Sequence, residues 1–160
     1  MIVWRLTRGP YAALDGEGAR RGGGRWNSVG TALVYASHAL SLAALEYLVH
    51  IDPDDAPADL VGIALEIPDT PALTERWELA TLPRDWRALS IPAACQTRGD
   101  AWVAGQSALA VWVPSVVIPG EANLLINPVH AAMADIRVLE IAPFAFDPRL
   151  LYRADAPAAR

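Results

Sequence analysis

Short apolar runs separated by polar turns dominate the chain, and most of them have the length of a strand. The turns between them are rich in Gly, Pro, Asn and Asp, the residues that end strands. Runs of this kind predict strands at 2–6, 33–36, 60–67, 122–128 and 136–144, with two more short strands on either side of Pro114.

Two other segments have helical character. The segment 38–50 is rich in Ala and Leu and contains neither Gly nor Pro, so it is the strongest helix prediction, with Ser37 as its N-cap. A second helix is expected at 96–107, although its glycines weaken the prediction. The segment 69–87 is expected to form short helical turns and loops. Several short strands with two helices indicate an α+β fold with split or mixed β-sheets.

Length and composition allow one domain of ordinary size. The chain has 160 residues, of which 53% are hydrophobic, so we expect a single compact domain over 1–150 and a tail at 151–160. Beyond Asp147 the chain is expected to form one helical turn and then to fray. The single cysteine, Cys95, excludes an internal disulfide and a multi-thiolate metal site, and it suits a cytoplasmic protein. The segment 101–120 is uncharged, but prolines in its second half argue against a membrane span.

The charged residues limit the partners that the chain could bind. All 13 basic residues are arginine, and the formal net charge is -5. Because lysine is absent, a Schiff-base mechanism is excluded, and the acidic balance argues against direct binding of nucleic acid. The three histidines lack the spacing of a metal-binding motif, so no metal is expected.

The most informative motif is RRGGGRWN at residues 20–27. Glycines have no Cβ, so their backbone N–H groups can approach a ligand closely, and Arg25 supplies a planar fork of donors suited to phosphate. Trp26 adds a large flat apolar face. The segment lacks the GKS or GKT of a P-loop and does not match GxGxxG. It indicates a nucleotide-binding loop, with a flexible basic surface turn as the alternative.

Three further residues are candidates for chemistry. Glu46 lies on an apolar flank of the predicted helix, so its carboxylate either borders solvent or meets a ligand or an arginine. Tyr35 precedes that helix, and core packing is the alternative to a ligand contact. Ser115 carries a hydroxyl inside a long apolar run, with a turn role as the alternative. Asn123 and Asn127 are expected to be turn residues.

In chain order these residues form an Arg in GGGRWN, a Tyr ten residues later, a Glu on the next helix and a Ser in VPS before INP. This arrangement resembles the RES-domain family, the toxins of bacterial toxin–antitoxin pairs. The likeness covers most of the chain, from WR near the start through LAALEYLVH and VPSVVIPGEANLLINPVH to the closing strand. Matched by motif, the family's Arg is Arg25 and its Glu is Glu46. Its Ser is Ser115, with Ser107 as the alternative.

The resemblance implies a fold similar to ADP-ribosyltransferases, with NAD as the substrate, no metal, and an NAD-binding catalytic domain at 1–150. It further implies cleavage of the bond between nicotinamide and ribose, and a cognate antitoxin, often of helix-turn-helix type. The residues implied to bind NAD are Arg5, Gly24, Arg25, Trp26, Asn27 and Tyr35.

Each implied role fits the chemistry of the residue. Nicotinamide leaves while positive charge develops on the ribose, so an ionised Glu46 would stabilise an oxocarbenium-like transition state. Arg25, helped by the amides of 22–24, would hold the diphosphate. Tyr35 would stack on nicotinamide, and Ser115 would position Glu46 or a ribose hydroxyl.

The acceptor of ADP-ribose stays open. Water or phosphate would make the protein an NAD-degrading toxin, which we expect, whereas a side chain of a host protein would make it a mono-ADP-ribosyltransferase. Arginine-modifying transferases commonly carry a second acidic residue two positions before the catalytic Glu, and here this position is Ala44. A non-catalytic nucleotide-binding module is a further alternative. A serine hydrolase is disfavoured, because GQSAL around Ser107 lacks the second glycine of GxSxG.

Overall fold

The computed structural model describes residues 1–151, whose strands form one sheet with three helices. The strands are β1 (Ile2–Arg8), β2 (Val34–Ser37), β3 (Leu60–Glu66), β4 (Thr74–Arg76), β5 (Ala110–Pro114), β6 (Ala122–Ile126) and β7 (Arg137–Pro143). The helices are α1 (Glu17–Gly22), α2 (Leu40–Leu48) and α3 (Ala93–Gly105).

The sheet is mixed, with the strand order β4-β5-β6-β2-β1-β3-β7. Only β4 and β5 run parallel, and every other pair is antiparallel. The β1–β2 junction is the weakest pairing, because Trp4 and Ser37 are its only register partners, whereas β1 and β3 pair along seven positions. The predicted α+β class with a mixed sheet is confirmed.

Both longer helices lie on the same face of the sheet, which we name the helix face. Side chains alternate along strands, so Tyr35 and Ser37 of β2 share this face with their register partners Leu125 and Asn123 of β6. Helix α3 packs against it through a cluster rich in tryptophan, and α2 packs through Ala43 beside Leu6 of β1. The opposite face carries a separate cluster of aliphatic side chains.

The structure differs from the sequence-based expectations in four local features. Ser37 does not cap α2, because it ends β2 and the N-cap is Ala39, without a side-chain hydrogen bond. Only one strand, β5, forms around Pro114. The expected loop at 69–87 contains the short strand β4, and the glycine-rich connection contains helix α1.

Two further findings concern the ends and the long elements of the chain. A single turn of 3-10 helix at Pro148–Leu150 follows Asp147, as predicted. The expected fraying of the tail falls on residues 152–160, which lie outside the described part of the chain. No helix within residues 1–151 combines the length and the apolar character that a membrane crossing requires.

Candidate functional site

Glu46 sits in the last turn and a half of α2 and is half-buried. The helix holds it over the sheet because Leu42 and Ala43, one turn earlier, are buried. The Glu46 carboxylate therefore reaches two residues that are remote in sequence: Ser115, directly after β5, and Asn123 in β6.

Both contacts converge on one carboxylate oxygen. Ser115 Oγ and Asn123 Nδ2 each donate to Glu46 Oε1 over 2.6 Å. The backbone N–H of Ile118 donates to Ser115 Oγ over 2.9 Å, which leaves the serine proton for Glu46. No group within the described residues donates to Glu46 Oε2. We name Ser37, Glu46, Ser115 and Asn123 the carboxylate network.

The outermost member of the network is Ser37. Its Oγ donates to Asn123 Oδ1 over 2.7 Å, between register partners of β2 and β6. Sequence reasoning missed both residues, because Asn123 was expected in a turn and Ser37 at a helix cap. A signal was present, since each is a polar residue inside or at the end of an apolar strand.

Ser115 and Ser107, the two candidates for the family serine, occupy different environments. Ser115 is completely buried and bonds Glu46. Ser107 is exposed between α3 and β5, whereas Ser115 follows the other end of β5. The fold thus brings Ser115, and not Ser107, to Glu46.

Arg25 occupies a second region, the arginine loop, which consists of residues 23–28. Its Nη1 donates to the carbonyl of Trp86 over 2.6 Å, and its Nη2 donates to the carbonyl of Ala88 over 2.9 Å. A guanidinium has five N–H donors, so these two bonds leave donors for a ligand. Arg25 therefore fixes the segment around residue 87 and retains hydrogen-bonding capacity.

Two residues fix the arginine loop: Tyr35 of β2, and Asn27 within the loop itself. The Tyr35 hydroxyl accepts from the Trp26 N–H over 3.1 Å and donates to Asn27 Oδ1 over 2.8 Å. Asn27 is completely buried, and its Nδ2 donates to the carbonyls of Ala19, Ser28 and Thr31. Burial is the main cause that raises the pKa of Tyr35, so its hydroxyl stays a neutral donor. As a whole residue, Tyr35 is half-buried and packs against the tryptophan-rich cluster.

The glycines of the loop serve its internal packing. The N–H of Gly23 donates to Ala19 O over 2.8 Å, and the N–H of Gly24 donates to Asn27 O over 2.9 Å. Gly23 has a φ of 69°, which favours glycine. A Cβ on Gly24 would lie 2.6 Å from the Tyr35 hydroxyl oxygen. These two amides are therefore already engaged, so they do not point at a ligand.

Trp26 faces the core. Its side chain is 3% exposed and makes an edge contact with Trp77, with ring centroids 5.3 Å apart. Helix α3 presses on the loop at Gly99, where a Cβ would overlap the Trp26 carbonyl oxygen. One residue further along α3, Asp100 accepts the Ser28 N–H over 2.9 Å. Burial raises the pKa of Asp100, but hydrogen bonds from Ser28 and Thr31 outweigh it, and the net direction is down.

Arg5 lies apart from both regions. It alternates with Trp4, the register partner of Ser37, so Arg5 points to the face opposite the helix face. Its Nη2 donates to the Tyr11 carbonyl over 3.3 Å, and its buried Nε finds no hydrogen-bond partner among residues 1–151. Burial lowers the pKa of Arg5, with Asp15 opposing.

The arginine loop and the carboxylate network meet on β2. Tyr35 supports the loop and Ser37 begins the network, and two residues on one face of a strand lie about 7 Å apart. A cavity of about 210 Å³ is lined by sequence neighbours of the two regions, although none of its lining residues belongs to either region. Its lining includes Arg87, between the two carbonyls that Arg25 bonds, and Glu121 and Ala122, which precede Asn123. The fold thus supports a group that could bind phosphate and a group that could stabilise a cation from one face of β2.

A known family matches nearly the whole described chain. The model of the RES domain matches residues 2–147. The chain is 37% identical over 158 residues to the Prs ADP-ribosylating toxin of Sphingobium sp., covering 94% of this chain and 97% of the relative. It is 38% identical over 147 residues to Toxin Res of Pseudomonas putida, covering 89% of this chain and 97% of the relative.

A solved structure has the same fold. The chain is similar to a chain in the crystal structure of the M. tuberculosis MbcT-MbcA toxin-antitoxin complex, with a TM-score of 0.72. The match covers 94% of this chain and 86% of that chain at 21% sequence identity, so it shows a common fold.

Proposed function

Since the chain belongs to the RES-domain family of bacterial toxins, we propose that it is an NAD-consuming toxin that cleaves the bond between nicotinamide and ribose. The observation that carries the proposal is the carboxylate network. A half-buried carboxylate with two donors on one oxygen and its second oxygen open can face a developing cation. The family prediction made from the motifs is confirmed.

Glu46 is proposed as the catalytic carboxylate. As nicotinamide departs as a neutral base, positive charge grows on the ribose carbon, and a fixed negative charge lowers the energy of that state more than the energy of the substrate. Glu46 Oε2 is the open oxygen and would face the ribose. Ser115 would hold the carboxylate through its bond to Oε1.

Arg25 is proposed to bind the NAD diphosphate with the donors that its two carbonyl bonds leave free. The ring of the half-buried Tyr35 is proposed to stack on nicotinamide. Gly24, Trp26 and Asn27 would contribute by shaping the loop around Arg25. Their polar groups already form hydrogen bonds within the loop or with Tyr35 and Ala19. An NAD contact by Arg5, on the opposite face, stays a prediction.

We propose that water or phosphate accepts the ADP-ribose, so that the toxin degrades NAD. The support is Ala44, which leaves the position two residues before Glu46 without a second carboxylate to activate a guanidinium. The second candidate is transfer to a side chain of a host protein. The Sphingobium relative favours it, because that protein is named a Prs ADP-ribosylating toxin.

A cognate antitoxin, with a helix-turn-helix domain, is the proposed partner. The support is the structural neighbour, which is a toxin in a toxin-antitoxin complex, and the relatives named Toxin Res. Cytoplasmic location follows from such a role, because the antitoxin has to meet the toxin where both are made.

The decisive experiment measures free nicotinamide after the purified chain is mixed with NAD, for the wild type and for Glu46→Gln. Gln keeps the shape of the side chain but removes its charge, so we expect release to fall about 100- to 1,000-fold, which is the typical effect of losing one preorganised stabilising group. Expression without antitoxin should arrest bacterial growth for the wild type only. Matched thermal unfolding curves show that the variant is folded.

Labelled NAD in cell lysate separates the acceptors. Degradation predicts nicotinamide release by the pure toxin and a fall in cellular NAD that exceeds any protein labelling. Transfer predicts one labelled protein band, with little turnover until that protein is added. Wild-type toxicity or nicotinamide release from Glu46→Gln would refute the catalytic assignment. A wild-type protein that binds NAD but gives neither nicotinamide release nor a labelled protein band in lysate would favour a non-catalytic nucleotide-binding module.

A further inference from the structure

The geometry points to Asn123 and Ser37 as positioning residues that orient the Glu46 carboxylate, an inference that rests on the proposed function. Asn123 donates directly to Glu46, and Ser37 acts through Asn123. Neither residue is proposed to contact NAD.

Each hydrogen bond in the network has only one possible direction. An ionised carboxylate only accepts, so Asn123 must turn its NH₂ group towards Glu46. Its Oδ1 then faces Ser37, and because that oxygen only accepts, Ser37 has to donate. Glu46 therefore sets the direction of the Asn123 amide, and Ser37 stabilises that direction by donating to Oδ1.

The same directions fix the orientation of the catalytic group. The terminal torsion of a Glu side chain is broad, and one donor alone leaves the carboxylate free to rotate. Two donors from different elements, Ser115 and Asn123, hold Oε1 in place and so keep Oε2 directed away from them. A charge that is held in position before the reaction needs no reorganisation in the transition state.

The carboxylate network is rigid at this end because Ser37 and Asn123 both lie on strands. Ser37 and Asn123 are register partners in adjoining strands, and Ser37 is 3% exposed. Sites that are built on strands keep their geometry better than sites on loops. The bond between Ser37 and Asn123 is therefore set by the sheet pairing, which a substrate does not disturb.

The sharpest test is Asn123→Asp, followed by the pH dependence of nicotinamide release. The substitution keeps the shape but sets a second carboxylate against Glu46, where the wild-type atoms are 2.6 Å apart. Two carboxylates this close share one proton at low pH, and the protonated one can donate as the amide does. We expect kcat within about threefold of wild type at acidic pH and a loss of tenfold or more as the pH rises and the pair loses its proton.

A double-mutant cycle tests Ser37. We expect Asn123→Ala to lower kcat about tenfold and Ser37→Ala to lower it by a smaller factor, with KM for NAD unchanged within about twofold. Because Ser37 acts through Asn123, Ser37→Ala should have no further effect on kcat in the Asn123→Ala background.

The matched control is Asn127→Ala. Asn127 is a completely buried asparagine just beyond β6, and its Nδ2 donates to Val103 O over 3.0 Å. Its loss should lower Tm without changing kcat of the folded protein. The inference would be overturned if Asn123→Asp lost kcat equally at every pH, or if the effects of Ser37→Ala and Asn123→Ala on kcat multiplied. In either case, loss of nicotinamide release in Glu46→Gln would still support the proposed function. A wild-type protein that releases no nicotinamide, either alone or with cell lysate, would refute the proposed function, and this inference with it.

Discussion

The arginine loop and the carboxylate network hold their polar side chains in opposite ways. In the loop, Arg25 and Asn27 donate mainly to backbone carbonyls. In the network, side chain bonds side chain between β2, β6, α2 and the turn after β5. The loop therefore depends on the course of the main chain, whereas the network depends on the identity of every member.

This difference separates stability from chemistry. The loop has buried donors, a tryptophan in the core and a tight contact with α3, so a change there should first cost folding free energy or substrate affinity. The network places two donors on one carboxylate oxygen, so a change there should first lower kcat. Loop variants that lower kcat without changing stability or KM would contradict this difference.

The largest expected effect is that of Gly99→Ala. The added methyl would overlap the Trp26 carbonyl oxygen, and a backbone atom cannot move aside as a flexible side chain can. We expect the free energy of unfolding to fall by about 3 kcal/mol or more, at the upper end for overpacked sites. Chemical denaturation measures it.

Gly105→Ala provides the control for this prediction. It adds the same methyl to the same helix, but nothing lies within 4 Å of the new atom. This variant should be as stable as the wild type or slightly more stable, because Ala favours a helix over Gly. Equal losses in the two variants would mean that α3 does not press on the loop.

Arg25→Lys comes next. Lysine keeps the charge but cannot bond both carbonyls and a diphosphate at once. Losing a charge-assisted hydrogen bond costs about 1.5–3 kcal/mol, so we expect KM for NAD to rise about 10- to 100-fold with a smaller change in kcat. Steady-state kinetics measure both values. Arg84→Lys, at an exposed position in the neighbouring segment, should match wild type. A normal KM in Arg25→Lys would assign diphosphate binding elsewhere.

Tyr35→Phe should separate the two functions of this residue. Phe keeps the ring but removes the hydroxyl between the Trp26 N–H and Asn27 Oδ1. Leaving these groups without partners should cost about 1–2 kcal/mol of stability. KM and kcat should change little if the ring is what contacts nicotinamide. Thermal unfolding and nicotinamide release measure the two effects, and a large kcat loss at unchanged Tm would contradict the supporting role of the hydroxyl.

The smallest expected effect lies at the entrance of the loop, in α1. Hydrogen bonds from Arg20 and then Arg21 lower the pKa of Glu17 to about 2. A carboxyl with a lowered pKa stabilises the fold above its ordinary pKa, so this contribution should be lost as the pH falls from about 4.5 towards 2. Glu17 is exposed to solvent screening, so Glu17→Gln should change Tm little at neutral pH and reduce its dependence on pH below 4.5. If Tm depended on pH below 4.5 in the same way in Glu17→Gln and in the wild type, the ion pairs of α1 would not contribute to stability.

The sequence by itself determined most of the elements, and it predicted the candidate residues of the site. Apolar runs mark β1, β3 and β7, and the Ala- and Leu-rich segment marks α2, because these signals are local. The order of Arg25, Tyr35, Glu46 and Ser115 indicated the family. Such a motif is readable without a structure because it consists of particular residue types in a fixed order along the chain.

Only the tertiary structure decided what those residues contact. The strand β4 has no apolar pattern and forms by pairing with β5. Ser37 and Asn123 became partners because β2 pairs with β6 across 86 positions of chain. Arg25 donates to carbonyls 61 and 63 residues away in sequence. Because every residue has a backbone carbonyl, the residue types do not show which carbonyls are bonded. Long-range pairing of this kind depends on which surfaces pack together, and local sequence does not carry that information.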